Sequence, residues 1–157
     1  MIALALLASL LEPGEVLVER GGELALESPP RETVRIEEGA IVAWGITEVP
    51  GSSRLQPALA MADALARAEL VKALRVALTA ADEVRASDEA QSASTATAEL
   101  ARALLPALPA PRHAWIKVRR EGKLWLRLYA RLVADRGVLA RALGPERARR
   151  ALEEADE

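Results

Sequence analysis

The chain has 157 residues, a formal net charge of −2 and 51% hydrophobic residues. The low charge and high hydrophobic content exclude an intrinsically disordered chain, and the length suffices for one domain with a core. It contains no cysteine, so disulfides and thiolate metal sites are excluded. It also has no Phe, one Tyr and three Trp, so its core must be built from Leu, Val, Ile and Ala.

The first residues form an apolar run that permits two interpretations. Residues 2–11 read IALALLASLL, which is too short to span a bilayer and lacks the positive charge that precedes most signal segments. The run is therefore either a signal-like export segment or a short packed helix. We divide the chain into this N-terminal segment (residues 1–12), a single domain (residues 13–145) and a charged terminal helix (residues 146–157). Any membrane contact is expected through residues 1–12 alone.

Two β-hairpins are predicted before residue 50. Residues 15–27 alternate in hydrophobicity on either side of Gly21-Gly22, a pair that suits a tight turn. A second hairpin joins residues 34–36 to residues 40–46. Gly45 inside that last strand indicates a bulge or the close approach of another backbone.

A long alanine-rich helix is predicted over residues 55–80. Its apolar side chains recur at helical spacing and define one buried face. That face consists of Leu55, Leu59, Ala62, Ala66, Leu70, Ala73, Leu74 and Ala77. Residues 81–98 are polar and rich in small side chains, so a loop, an extended segment and a weak helix all stay open.

The last third of the chain contains the clearest hairpin. Strict alternation over residues 114–119 and 124–132 flanks a turn at residues 120–123. Short helices are predicted before it at residues 98–105 and after it at residues 138–143 and 146–155. Together these elements predict an α+β fold: an antiparallel sheet of at least four strands packed on one long Ala-rich helix, with short C-terminal helices.

Three stretches resemble a known family. They are Ala43-Trp44-Gly45 at the end of a strand, the helical run ALAMADALARA at residues 58–68, and EGKLWLRLYA at residues 121–130. This pattern is similar to the small lipoprotein-associated domain of bacterial envelope proteins, shared with the N-terminal domain of the flagellar assembly protein FlgT. The resemblance implies a helix on an antiparallel sheet, usually in exported proteins, and implies no catalytic residues. The chain departs from the lipoprotein members because it has no lipidatable Cys.

No catalytic constellation is found in the sequence. His113 is the single histidine and lacks metal-site spacing, so we expect a surface residue at the start of a strand. The adjacent carboxylates Glu37-Glu38, Asp82-Glu83 and Asp88-Glu89 fit solvated surface. The serines and glycines form neither a nucleophile elbow nor a phosphate loop. We therefore predict a non-enzymatic protein with no catalytic residues, no metal and no cofactor.

The best candidate for a binding site is the exposed side of the final hairpin, which we call the aromatic–basic face. It consists of Trp115, Lys117, Arg119, Trp125, Arg127, Tyr129 and Arg131. Trp, Tyr and Arg are typical anchors of protein interfaces, and aromatics interleaved with cations also suit single-stranded nucleic acid. A third interpretation is that the N-terminal segment or terminal helix covers these aromatics while the arginines pair with Glu15, Glu19, Glu23 or Glu27.

The charge distribution bears on the same choice. Residues 1–50 carry nine acids against three bases, whereas residues 112–131 carry seven bases against one acid. We expect either that the two segments attract each other or that the basic segment binds an external anion.

The function that we predict is a non-catalytic interaction or scaffold module of a bacterial cell envelope. It would dock a protein partner or a second copy on the aromatic–basic face. The alternative is a single-stranded nucleic-acid-binding module using the same face. A third hypothesis is an enzyme or ligand-binding domain with its site in the loop Pro50–Ser53. An exported or periplasmic location is favoured, with the cytoplasm as the alternative.

Overall fold

The structure is a computed structural model that describes residues 10–81 and 98–155. It is α+β, and the predicted fold class is confirmed. Five strands form one antiparallel sheet in the order β1-β4-β5-β3-β2. The strands are β1 (Val16–Gly22), β2 (Val34–Glu37), β3 (Ala40–Pro50), β4 (Arg112–Arg120) and β5 (Lys123–Asp135).

The described chain also contains helices, which are joined to the strands by loops. They are α1 (Leu55–Ala81), α2 (residues 98–104), α3 (Arg136–Leu143) and α4 (Pro145–Ala155). A short 3-10 turn at Leu105–Ala107 follows α2, so the chain continues helically through Pro106, where we predicted a stop. Residues 82–97 and 1–9, on which the sequence left alternatives open, lie outside the described residues.

The chain separates into two compact units. The first contains Met1–Thr33, Trp44–Ala66 and Pro111–Arg131, and the second contains Val34–Ala43, Arg67–Ala110 and Leu132–Glu157. In the second unit, α3 packs on α4 and on the 3-10 turn, and α4 also contacts β2. Leu70, Leu74, Leu104 and Leu139 are fully buried there. The aliphatic core expected from the lack of Phe is thus observed.

The first unit shows why alanine dominates α1. Ala62 and Ala66 have no exposed surface, and they face Gly45 of β3. A Cβ atom at Gly45 would lie within about 3 Å of the backbone of both alanines, closer than packing permits. The close approach predicted for Gly45 is therefore a helix crossing a strand, and small side chains on both elements allow it.

Two of the three predicted hairpins are confirmed. β2 and β3 pair antiparallel around Glu38 and Gly39, which have φ of 50° and 75°. β4 and β5 pair around Glu121 and Gly122, with φ of 53° and 77°. Both are two-residue turns with positive φ at each central residue, the geometry that matches strand twist.

The predicted hairpin at residues 15–27 is wrong. β1 runs through Gly21-Gly22 without turning and pairs with β4, which lies some ninety residues further along the chain. A Cβ atom at Gly21 would collide with the Trp115 ring, and one at Gly22 with the backbone of His113 and Ala114. The glycine pair thus allows β1 to pack closely on β4. From the neighbouring sequence alone, the same two residues indicate a turn.

Candidate interaction surfaces

The register of the β4–β5 hairpin divides the aromatic–basic face between the two sides of the sheet. Trp115 lies opposite Leu128, and Trp125 lies opposite Val118. Residues directly opposite in an antiparallel pair point to the same side, so Trp115 and Trp125 point to different sides. The prediction that all seven residues share one surface is therefore wrong in its geometry.

The first set follows β4 and is partly engaged with β1. The ring of Trp115 covers Gly21, its partner in the β1–β4 register. Lys117 lies opposite Glu19, a cross-strand pair of opposite charge. Arg119 is exposed and lies opposite Val16, so it is the member of this set that reaches furthest into solvent.

The second set follows β5 and is mostly enclosed. Arg127 and Tyr129 are 6% and 2% exposed. Trp125 is half-buried under the guanidinium of Arg120, whose Cζ atom lies 5.0 Å from the ring centroid, a cation–π distance. Arg131 is half-buried opposite Arg112. Tyr129 is therefore buried within the chain, and Arg127 is buried beside it.

A buried network of ion pairs encloses Arg127. Its Nη2 atom lies 2.6 Å from the carboxylate of Glu15 and 3.1 Å from that of Glu48, and its Nη1 atom donates to the carbonyl of Leu10 at 3.3 Å. Arg120 joins the same two carboxylates at 3.3 and 2.6 Å. The attraction expected between the acidic and basic segments is thus realised inside the molecule. Glu15, one of the four acids that we expected to pair with arginines, contacts both Arg120 and Arg127.

Burial and ion pairing shift the pKa values of the residues in and beside this network. Burial opposes ionisation of Glu15, but hydrogen bonds from Arg127 and the backbone of Glu12, with the charges of Arg127 and Arg120, lower the pKa of Glu15. Burial also opposes the charge on Arg127, yet Glu15 raises the pKa of that guanidinium. Burial raises the pKa of Tyr129. The pair Glu15–Arg127 is therefore ionised at neutral pH and unavailable to an outside anion.

His113 occupies a position that the sequence did not predict. Its side chain is 18% exposed, and Nε2 lies 2.5 Å from Oδ1 of Asp63 on α1. Nδ1 lies 3.9 Å from Oε2 of Glu23, which also accepts the backbone N–H of His113 at 2.9 Å. The expected surface histidine is instead a partly buried link. Fifty residues separate it from Asp63, and only the topology brings them together.

A cleft of about 410 Å³ lies beside this link, between β4 and the chain that follows β1. Ala114, Ile116 and Tyr129 contribute to it, together with Leu10 and residues 20–27. The loop Pro50–Ser53, our third hypothesis, is a tight turn in which Gly51 donates to the carbonyl of Leu124 at 2.8 Å. No ligand class is suggested by that turn.

Another candidate surface lies on α1. Its solvent-exposed positions over residues 57–65 carry no charge, and we call them the outer face of α1: Pro57, Ala60, Met61, Ala64 and Leu65. Met61 and Leu65 are 52% and 43% exposed. The charged residue in this stretch, Asp63, points to His113. A helix that is apolar on both its buried and its exposed sides is typical of one with a second contact.

This outer face was missed although its signal stood in the sequence. The apolar positions 60, 61, 64 and 65 repeat at the same helical spacing as the buried positions 58, 62 and 66. The predicted helix had a single apolar face, so the prediction did not include the second one. Met61 and Leu65 are the residues that could have revealed it, because exposed helix positions usually carry Lys, Glu or Arg.

The remaining observations concern metal ligands, membrane spans and similarity to known proteins. Within residues 10–81 and 98–155, no group of three or more His, Asp or Glu side chains is arranged to hold a metal ion. No helix in that part of the chain has the length and apolar content to cross a bilayer. No protein-family model, no curated protein and no solved structure matches the chain.

Proposed function

We propose that the protein is a non-catalytic interaction module that docks a protein partner on the outer face of α1. The observation that carries this proposal is the exposure of Met61 and Leu65 on a helix face without charge. Exposed apolar side chains that are contiguous on one element mark contact surfaces more often than isolated ones do.

The shape of the outer face favours a helix as the partner's element. Ala60 and Ala64 are one turn apart and project little from the helix axis, so a second helix can approach closely over this pair of alanines, beside the row of Met61 and Leu65. Interhelical distances are about 8–10 Å and depend on side-chain size at the contact. Met61 adds a flexible side chain that adapts to an irregular partner surface.

The cell envelope is the location that we propose for this module. The support is the resemblance of residues 43–45, 58–68 and 121–130 to the lipoprotein-associated domain of bacterial envelope proteins. The helix of that pattern is α1, so the proposed docking surface lies on its most distinctive element. In that setting the module is a scaffold component rather than a catalyst.

Nucleic-acid binding is the weaker proposal because its residues are engaged elsewhere. Stacking and phosphate neutralisation on one sheet face would need Tyr129 and Arg127 in solvent. Tyr129 is buried, and Arg127 is paired with Glu15. Arg119 alone does not supply a row of stacking platforms.

The test is photo-crosslinking of single positions in the source cells. A photoreactive amino acid replaces Met61 or Leu65 on the outer face of α1. Matched probes replace Lys72 on the same helix and Arg119 on the sheet, both of which are exposed. We expect a discrete protein adduct from positions 61 and 65 that is missing at 72 and 119.

The adduct identifies the occupant by its mass. A mass of two chains indicates self-association, and any other discrete mass indicates a different protein. Adducts at 119 with none at 61 and 65 would contradict the docking surface. Adducts at 119 with RNA or DNA that disappear steeply with added salt would establish the nucleic-acid alternative.

A further inference from the structure

Strand β3 forms part of the edge of the sheet. In the strand order β1-β4-β5-β3-β2, its outer neighbour is β2. That neighbour begins at Val34, opposite Ala43, whereas β3 continues to Pro50. Within residues 10–81 and 98–155, the strand order therefore places no strand on the outer side of β3 beyond Trp44. We call residues 46–50 the open edge of β3.

The hydrogen-bonding pattern of β3 shows which backbone groups point outward. The N–H of Trp44 donates to the carbonyl of Thr33 at 2.7 Å, and Thr33 directly precedes β2. Every second residue of a strand directs its N–H and C=O to the same side, so Ile46 and Glu48 direct theirs outward. Ile46 is 37% exposed. The open edge thus presents the donors and acceptors that an added strand requires.

Helix α1 covers one side of this edge. A Cβ atom at Gly45 would collide with the backbone of Ala62 and Ala66, so α1 lies directly over β3. Side chains alternate along a strand, and Thr47 and Val49 therefore point to the same side as Gly45, toward α1. An added strand would accordingly place every second side chain beneath the helix.

The exposed side chains of α1 point over the same edge. Asp63 faces β4, where it contacts His113. With 3.6 residues per turn, Met61 and Leu65 each lie about 160° around the helix from Asp63. They therefore point away from β4, to the side on which the sheet ends at β3. Apolar side chains of an added strand would cover both of them.

A second copy of this chain does not fit the open edge. Strands that pair lie about 4.8 Å apart, so two copies joined at β3 would hold their α1 helices at a similar distance. Packed helices need about 8–10 Å. The edge therefore accepts an extended segment that carries no helix on that side.

We propose that the open edge of β3 binds an extended segment of a partner protein by β-strand addition. Alternate side chains of that segment are apolar and cover Met61 and Leu65. The intervening ones are polar or basic, since the ion pairs beside Glu48 join three carboxylates to two guanidiniums. The proposal goes beyond docking of a helix over Ala60 and Ala64 and does not depend on it.

The test is amide hydrogen exchange by NMR on the purified protein, with the synthetic peptide acetyl-TVKVKVT-amide as the added strand. Alone, the protein should exchange the amides of Ile46 and Glu48 much faster than those of Thr47 and Val49, which face β5. At about 2 mM peptide, a dissociation constant of about 1 mM leaves one third of the chains unbound, so protection of Ile46 and Glu48 should rise about threefold. Protection of Thr47 and Val49 should change little.

Matched controls separate strand addition from unspecific binding. The peptide acetyl-TTVVVKK-amide has the same composition without the alternation and should give no gain in protection. Replacing both Lys of the first peptide by Glu should weaken its effect. Ile46→Pro removes one outward N–H but no bond to β5, so it should abolish the gain at Glu48 while Thr47 stays protected.

Three results would overturn the proposal. They are equal protection of Ile46, Glu48 and Thr47 in the protein alone, no gain with the alternating peptide, and equal gains with the alternating and non-alternating peptides. Protection that grows with protein concentration alone would assign the edge to a second copy and would overturn it as well.

Discussion

The aromatic–basic face and the outer face of α1 reverse what their compositions suggest. The first has the Trp, Tyr and Arg side chains that are typical of interfaces, yet Arg127 and Tyr129 are buried and Trp125 lies under Arg120. The second has only Ala, Met, Leu and Pro, yet it faces solvent. The difference teaches that residue type alone does not tell which surfaces the fold leaves exposed.

The largest expected effect tests how much Arg127 of the aromatic–basic face contributes to the stability of the fold. Arg127→Ala leaves Glu15 with its side chain fully buried and without its closest cation. We expect the free energy of unfolding to fall by up to about 3–5 kcal/mol, since the buried carboxylate then relies on the more distant guanidinium of Arg120, 3.3 Å away. Chemical denaturation of the purified protein measures this.

Arg119→Ala is the matched control, because this arginine belongs to the same predicted face but is exposed. Its free energy of unfolding should change by less than about 0.5 kcal/mol. Equal and small effects at positions 119 and 127 would show that the network is not formed and that Arg127 remains available to a partner.

A second comparison sets the two faces of α1 against each other. Ala66→Leu adds a side chain where there is no exposed surface and the backbone of β3 is close, so overpacking should cost about 1–3 kcal/mol. Ala64→Leu makes the same change on the outer face and should alter stability by less than about 0.5 kcal/mol. Thermal melting of both variants suffices. Similar losses at 64 and 66 would mean that the outer face is covered within the chain itself.

The pH dependence of stability gives a further test of the buried network around Arg127, to which the outer face of α1 has no counterpart. The pKa of Glu15 is lower in the folded protein than in the unfolded chain, so its ionised form stabilises the fold at neutral pH. That stabilisation is lost as the pH falls below about 4. Urea unfolding at pH 7, 5 and 3.5 should show a decrease that is smaller in Glu15→Gln. If stability decreases with falling pH as much in Glu15→Gln as in the wild type, Glu15 is not the source of that decrease.

The smallest expected effect on stability is at Met61. Met61→Glu replaces an exposed side chain on the outer face by another good helix former. The melting temperature should therefore stay within about 2 °C, while adduct formation from a probe at position 65 is lost. A large drop in melting temperature would place Met61 in an intramolecular contact.

Much of the fold could be predicted because its signals are local. The turns at Glu38-Gly39 and Glu121-Gly122, the strict alternation around the second and the periodicity of α1 each lie within about thirty residues. The hairpin prediction at residues 15–27 failed because Gly21-Gly22 suits a tight turn, whereas in the structure the same glycines allow close packing on β4. What decides between them is the Trp115 ring, which is distant in the chain.

The candidate site could have been predicted better from one local fact. A two-residue turn at Glu121-Gly122 fixes which residues of β4 and β5 lie opposite each other. With that register Trp115 cannot share a side with Trp125. The burial of Arg127 by Glu15 and the link between His113 and Asp63 depend instead on contacts across the fold, which periodicity does not contain.

Oxidative footprinting of the protein, isolated and in its native assembly, tests the docking surface most directly. Met61 should be labelled in the isolated chain and protected in the assembly, while Trp115 and Trp125 should be labelled equally in both states. The opposite pattern, with Met61 unchanged and the two tryptophans newly protected, would contradict docking on α1. That pattern would place the interface on the sheet.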